Sequence, residues 1–184
     1  AALVKSMIAA EPWRLVTAAM LHGSIIHFFM NAITMWSLGL LLERGAHRHL
    51  LTLVWLSGAI AGSLLSWAAT SATSVGASGG ILAVFCFLLV MGKRRQHHLP
   101  PDFASSLVRS LLMIGMLGLL AWGVIENVAH VGGAIEGAAI GLLVFRGADD
   151  PLPLPDSNLL TMIGRVADTL FVAIAIFTIY KLVS

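Results

Sequence analysis

The chain has 184 residues, of which 58% are hydrophobic and only 11% are charged. Soluble domains carry about 45–50% apolar and about 25% charged residues, so this chain has too few polar residues to cover a water-soluble globule. The net charge of +2 and the single cysteine, Cys86 in an apolar run, also exclude a nucleic-acid-binding protein, a disulfide scaffold and a cysteine metal site.

Long stretches without charged residues predict membrane-spanning helices. Arg14 and Glu43 bracket 28 such residues, and Arg48 and Lys93 bracket 44 more. Because a hydrocarbon core about 30 Å thick takes about 20 residues of helix, the longer stretch must hold two spans, divided at the small polar residues 70–76. The whole pattern predicts six helices, at about 25–42, 50–69, 78–92, 106–123, 128–146 and 159–181.

The sequence therefore predicts an all-α, polytopic bundle of transmembrane helices with three parts. Residues 1–146 form the main membrane domain, residues 147–158 form a linker rich in Pro and Asp, and residues 159–184 form an additional C-terminal helix. With alternating spans, eight of the eleven Lys and Arg residues fall on the side of loops 43–49, 93–105 and 146–158. Positive residues accumulate on the cytoplasmic side, so these loops are predicted to be cytoplasmic.

Four of the polar side chains within predicted spans stand out, because polar groups there are costly and often functional. They are His27, Asn31, Ser78 and His130. Counting residues to the charge that ends each helix places His27, Ser78 and His130 at one depth, roughly 23–24 Å above the cytoplasmic edge. The helix from Ser78 is too short to cross the membrane, so we expect Ser78 to lie at a helix N-terminus on the floor of a water-filled cavity.

These residue types suit acyl transfer. A serine hydroxyl becomes a nucleophile when a base takes its proton, and histidine has a suitable pKa for that task. The oxyanion that forms needs preorganised donors. Asn31 and His27 are four residues apart on one helix face, and both can donate, as can the backbone N–H of Ser78. Together they predict a Ser–His dyad with a polar oxyanion pocket inside a bilayer.

Several ordered motifs resemble those of the rhomboid family of intramembrane serine proteases. The family's WR, HGSxxHxxxN, ER, GxSG and AHxGGxxxG motifs correspond to Trp13-Arg14, residues 22–31, Glu43-Arg44, residues 76–79 and residues 129–137. GxSG alone is a weak signal, because soluble hydrolases have similar turns. The combination of these motifs over residues 11–145 is specific.

The resemblance implies a serine endopeptidase that cleaves transmembrane segments of other membrane proteins without a cofactor or metal. Ser78 would be the nucleophile and His130 the base, with Asn31 and His27 at the oxyanion. The supporting glycines would be Gly76, Gly79, Gly133 and Gly137. Expected partners are substrate transmembrane helices and membrane lipid. The composition favours a bacterial inner membrane, with the site open to the non-cytoplasmic side.

The resemblance also has two departures. The first core helix of the family would precede the WR motif, whereas this sequence starts inside the loop that carries this motif, so that helix is expected either to have been truncated or to come separately. Residues 159–181 would then be an extra seventh helix of the family pattern, or would occupy the vacant place. The ER motif is followed almost at once by Gly45, where the family spaces that glycine further on.

Alternative interpretations stay open at this stage. The chain could be a non-catalytic rhomboid-like protein that binds transmembrane helices for quality control, or a small transporter with a polar midplane. Glu126 lies four residues before His130 and could be the acid of a triad, whereas Glu136, an acid within a span, has no assigned role. His22 is as consistent with an interfacial residue as with a functional one.

Overall fold

The computed structural model of the chain describes residues 1–121, 125–147, 152–154 and 157–184. Within these ranges the regular structure is helical, with isolated bridge residues at Leu3, Ser74 and Ile125, of which Leu3 and Ser74 pair with each other in an antiparallel bridge. The predicted all-α fold is confirmed. The α helices are α1 (Arg14–Thr17), α2 (Ile25–Glu43), α3 (His49–Ala69), α4 (Ser78–Arg94), α5 (Phe103–Leu120), α6 (Asn127–Val144) and α7 (Asn158–Val183); short 3-10 helices cover Lys5–Met7, Ala18–Met20 and Gln96–His98.

The six predicted helices correspond to α2–α7, with small shifts at their ends. The largest shift is in α5, which begins at Phe103 rather than 106 because the Phe103 N–H bonds the Pro100 carbonyl at 2.9 Å and starts the helix early. Its predicted last residues, 122 and 123, lie outside the described residues. So does much of the predicted linker 147–158, and its role as a boundary stays a prediction.

Helix α4 lies at the centre of the bundle. Eleven of its 17 residues are buried, among them Phe87, Leu88 and Met91 at 0% exposure, and it packs against α2, α3, α5 and α6. A helix that is apolar all round must be covered by protein or lipid on every side. The central place of α4 gives Ser78, its first residue, a fixed position near one end of the bundle.

The outer helices present apolar side chains to their surroundings. Ile25 and Trp36 of α2 are 75% and 73% exposed, and Leu120 of α5 is 78% exposed. Contiguous apolar surface on this scale marks contact with a membrane rather than with water. In the described part of the chain, five helices (α2, α3, α5, α6 and α7) are long and apolar enough to cross a bilayer, so the chain is an integral membrane protein.

Helix α6 packs against α3 and α4 through a row of glycines. The buried residues of this helix are Gly132, Gly133, Gly137 and Gly141. A Cβ on Gly133 or Gly137 would collide with the backbone carbonyl of Gly79 or Ala83 in α4, whereas one on Gly132 would lie 2.9 Å from the Ala61 carbonyl in α3. Small residues let membrane helices approach this closely. Helix α6, which carries His130, is therefore held by main-chain contact.

Helix α7 packs along α3 and also reaches α1. His49 Nδ1 lies 2.8 Å from Asp168 Oδ2 at one end, and the rings of Trp55 and Phe171 meet edge to face at 5.5 Å in the middle. At the other end the Lys181 ammonium lies 5.0 Å from the Trp13 ring centroid. The C-terminal helix α7 is thus packed against the rest of the bundle through contacts near both ends and in the middle.

Candidate active site

The side chains of Ser78 and His130 meet at one end of the bundle. Ser78 Oγ lies 2.8 Å from His130 Nε2, a hydrogen-bond distance between residues on α4 and α6. This geometry allows the hydroxyl to donate to an unprotonated Nε2 when the ring carries its proton on Nδ1. It is the arrangement that a serine nucleophile and its general base require.

A loop of residues 70–77 leads from α3 into Ser78, and its shape depends on Gly76. The φ of Gly76 is 139°, a conformation that residues with a side chain rarely adopt. A Cβ there would also lie 2.9 Å from Cε1 of His27. The Gly76 N–H bonds the Ala18 carbonyl at 3.0 Å. A glycine at this position therefore lets the loop pass directly beside the imidazole of His27.

The first turn of α4 presents free amide donors beside the Ser78 hydroxyl. The helical hydrogen bonds begin with the Ile81 N–H, which bonds the Ala77 carbonyl at 3.1 Å. The N–H groups of Ser78, Gly79 and Gly80 precede that bond and have no acceptor within the helix. Such a turn favours a developing negative charge.

Asn31 and His22 line a cavity of about 230 Å³ between α2, α3, α4 and α7. Its walls include Ala77, the residue before Ser78, and Phe171 of α7. Asn31 Nδ2 and His22 Nε2 are both buried and lack a hydrogen-bond partner among the described residues. Unpaired buried donors are uncommon in native proteins and mark groups that are available to a ligand.

His27 stands between this cavity and the Ser78 loop. Its ring contacts that of His22 edge to face, with centroids 5.2 Å apart, and its backbone N–H is capped by Ser24 Oγ at 3.1 Å. Burial, and then the neighbouring His27, lower the pKa of His22 below its ordinary value. His22 is therefore half-buried against His27 rather than freely solvated.

The supporting glycines have distinct positions. Gly76 shapes the loop, and Gly133 and Gly137 hold α6 against α4. Gly79 faces the Ala129 carbonyl, which a Cβ would approach to 3.3 Å. The structure thus brings Ser78, His130, His27, Gly76 and Gly79 together, with Asn31 in the adjoining cavity, whereas Gly133 and Gly137 lie further along α6.

Several features near the site were not predicted from the sequence. The N-terminal segment 1–8 reaches the Ser78 loop through the Leu3–Ser74 bridge and through the Lys5 side chain, which bonds the hydroxyls of Ser66 and Ser74. No motif marks this segment. Glu126 precedes α6, and its carbonyl accepts the His130 N–H at 3.3 Å.

The second acid, Glu136, lies where α6 meets α3. A Cβ at Gly58 would lie 3.2 Å from its Oε2, and this oxygen is buried without a partner among the described residues. Ser57 is the neighbouring hydroxyl. Glu136 is six residues, or about 1.7 helical turns, from His130 along α6, at the helix interface rather than in the dyad.

Known proteins match most of this chain. The family model described as the rhomboid domain matches residues 9–147. The chain is 34% identical over 145 residues to a protein named rhomboid protease GluP from Bacillus subtilis, covering 74% of the chain and 28% of that relative. It is 32% identical over 133 residues to one named rhomboid protease GlpG from Pectobacterium atrosepticum, covering 68% and 46%.

Relatives also occur outside bacteria. The chain is 32% identical over 138 residues to RHOMBOID-like protein 6, mitochondrial, from Arabidopsis thaliana, covering 73% of the chain and 44% of that protein. The chain thus spans less than half the length of these three curated relatives. The matched region contains α1–α6 and every residue gathered at the site. The chain belongs to the rhomboid family.

Proposed function

We propose that the chain is an intramembrane serine endopeptidase that cleaves transmembrane segments of other membrane proteins. The observation that carries the proposal is the 2.8 Å separation of Ser78 Oγ and His130 Nε2 at the half-buried N-terminus of α4. Its relatives include proteins named rhomboid proteases. A nucleophile and its base at hydrogen-bonding distance, in a bundle of helices that cross a bilayer, suit the hydrolysis of a peptide bond inside or beside a membrane.

The chemistry would proceed in two halves. Ser78 Oγ attacks the scissile carbonyl carbon while His130 Nε2 takes the hydroxyl proton, and the tetrahedral oxyanion collapses as His130 gives that proton to the leaving amine. The acyl group then remains as an ester on Ser78. Water attacks the ester with His130 again as base, and the carboxylic acid product leaves as Ser78 regains its proton.

The oxyanion would be held by hydrogen-bond donors near Ser78 that have no acceptor among the described residues or lie beside the Ser78 loop. The N–H groups in the first turn of α4 point to the charge that develops beside Ser78. Asn31 Nδ2 is buried with no bond among the described residues, and His27 lies against the loop before Ser78. We assign Asn31 and His27 to this pocket together with the Ser78 amide.

The experiment that tests the proposal is labelling with a fluorophosphonate probe, which reacts with activated serines. We expect the chain in detergent micelles to be labelled, and the Ser78→Ala variant, equally folded, to remain unlabelled. Label that persists in Ser78→Ala would lie on another serine and would contradict the assignment. A folded chain that takes no label would favour the non-catalytic alternative, a protein that binds transmembrane helices.

Replacement of Asn31 by alanine should slow turnover without preventing folding. Removing one oxyanion donor costs roughly 10²–10³ in kcat in soluble serine proteases, and the loss should be smaller here because His27 and the Ser78 amide share the charge. Cleavage of a transmembrane reporter measures it, with Ser37→Ala on the exposed face of α2 as the control. An unchanged rate of cleavage in Asn31→Ala would contradict a role in oxyanion binding and would indicate that Asn31 contributes only to packing.

The site is proposed to open on the non-cytoplasmic side of the membrane. Helices α2, α4 and α6 all end near basic residues, at Arg44, Lys93 and Arg146, opposite the end that carries Ser78. Positive residues favour the cytoplasmic side. Substrates would then be cut in the outer part of their span. A bacterial inner membrane stays a prediction from composition.

Cysteine accessibility in intact cells tests this orientation. In a Cys86→Ala background, Thr73→Cys in the Ser78 loop should react with a membrane-impermeant maleimide, whereas Gln96→Cys should react only after permeabilisation. Both native side chains are exposed, so burial does not confuse the comparison. The reverse pattern would overturn the topology and the proposed side of cleavage.

A further inference from the structure

The N-terminal segment 1–8 is fastened to the loop that carries the nucleophile. Leu3 and Ser74 form an antiparallel bridge, with the Leu3 N–H bonding the Ser74 carbonyl at 2.9 Å and the Ser74 N–H bonding the Leu3 carbonyl at 3.2 Å. Leu3 is only 1% exposed. Ser74 is four residues before Ser78, so this bridge acts on the backbone that positions the reactive hydroxyl.

Lys5 of the same segment connects that loop to the end of α3. Its ammonium donates to Ser66 Oγ in the last turns of α3 and to Ser74 Oγ, the latter at 3.3 Å. Ser66 is fully buried at 0% exposure, so one end of the contact is anchored in the bundle. Because Ser66 is held rigidly in the bundle, the Lys5 ammonium bound to it can restrain the Ser78 loop instead of moving with that loop.

We propose that Lys5 is a positioning residue that holds Ser78 at its distance from His130 by tying the Ser78 loop, at Ser74, to Ser66 near the end of α3. This inference rests on the proposed protease function. Lys5 does not touch the reacting atoms and acts through the Ser78 loop.

Replacing Lys5 by methionine keeps the apolar stem and removes the donors. We expect kcat for a transmembrane reporter to fall about 10- to 100-fold, since a shift of about 1 Å in a reacting group costs about 100-fold. KM should change little, because Lys5 does not line the cavity beside Asn31. Lys93→Met, an exposed lysine at the far end of α4, serves as the matched control and should leave both constants unchanged.

Hydrogen exchange gives a readout that needs no activity. In Lys5→Met, amides of residues 70–77 should exchange faster while those of α4 stay protected. The double variant Ser66→Ala/Ser74→Ala removes the acceptors instead of the donor and should reproduce both effects. Equal exchange and equal kcat in wild type and Lys5→Met would overturn the proposal, provided that the wild type is labelled by the serine probe. If the folded wild type takes no label, the result would instead contradict the proposed serine protease function.

The pH profile separates positioning from simple structural support. Burial lowers the pKa of Lys5 below its ordinary value, and the charge of Glu126 opposes this. Its ammonium is charged below that pKa, so kcat should decline as pH rises through it. Among the described residues, the Ser66 and Ser74 hydroxyls that face Lys5 do not titrate there. Lys5→Arg, which keeps its charge, should retain most of kcat and move the decline to higher pH; an unmoved decline would contradict the role.

Discussion

Ser78→Ala and His130→Ala should each abolish cleavage of a transmembrane reporter while leaving insertion and folding unchanged. Ser78 Oγ and His130 Nε2 are 2.8 Å apart and would act as one unit, so removing either should cost nearly as much as removing both. In a well-studied soluble serine protease such losses reach about 10⁶-fold in kcat. The measurement is the appearance of reporter fragments on a gel over time.

Two controls separate loss of chemistry from loss of structure. Ser37→Ala removes a hydroxyl that only bonds the Ile33 carbonyl on α2, and His97→Ala removes an exposed imidazole from the 3-10 turn after α4. Both should cleave like the wild type. The thermal midpoint of all four variants should stay close to that of the parent. Turnover near the wild-type rate in either Ser78→Ala or His130→Ala would end the dyad hypothesis.

Gly137→Ala should produce the largest loss of stability among single methyl additions. Its Cβ would collide with the Ala83 carbonyl of α4, so α6 must move away from α4. Overpacking of this kind costs about 1–3 kcal/mol, and backbone on the other side of the contact gives it little room to relax. Since α6 carries His130, the dyad distance should lengthen and turnover should fall together with the thermal midpoint.

Gly115→Ala on α5 is the matched control. A Cβ there meets nothing within 4 Å, so the same substitution changes only helix propensity. Alanine is favoured over glycine in a helix by about 1 kcal/mol, and this variant should be as stable as the parent or slightly more so. Differential scanning in detergent compares the pair. Equal midpoints for Gly137→Ala and Gly115→Ala would show that α6 does not depend on close contact.

The helices were predictable because their signal is local. Charge-free stretches of the right length fix the spans, and the short stretch after Ser78 predicted that α4 begins within the membrane. Ser78 and His130 could be paired because residue counts along separate helices place them at one depth. The residue counts predict that Ser78 and His130 lie at the same depth in the membrane, but they do not predict that the two side chains touch. Contact depends on how closely α4 and α6 approach each other.

Other parts of the molecule could not be predicted from local pattern. The bridge of Leu3 to Ser74 joins residues far apart in the chain, and neither has a distinctive neighbour. The three consecutive bases at 93–95 look alike in sequence, yet Arg95 is fully buried with its guanidinium 5.6 Å from the Phe145 ring centroid, whereas its two neighbours are exposed. Burial there is decided by which base faces α6, and that follows only from the packed helices.

The glycine row of α6 has a consequence for how freely the sequence can vary. The place of His130 depends on the absence of side chains at Gly133 and Gly137 rather than on the identity of any side chain. On the opposite face, Ile135 is 63% exposed to lipid, where one apolar residue serves as well as another. Residues on the membrane-facing surface can therefore be substituted to suit different bilayers. The distance between Ser78 and His130 stays the same, because it is set by main-chain packing of α6 against α4.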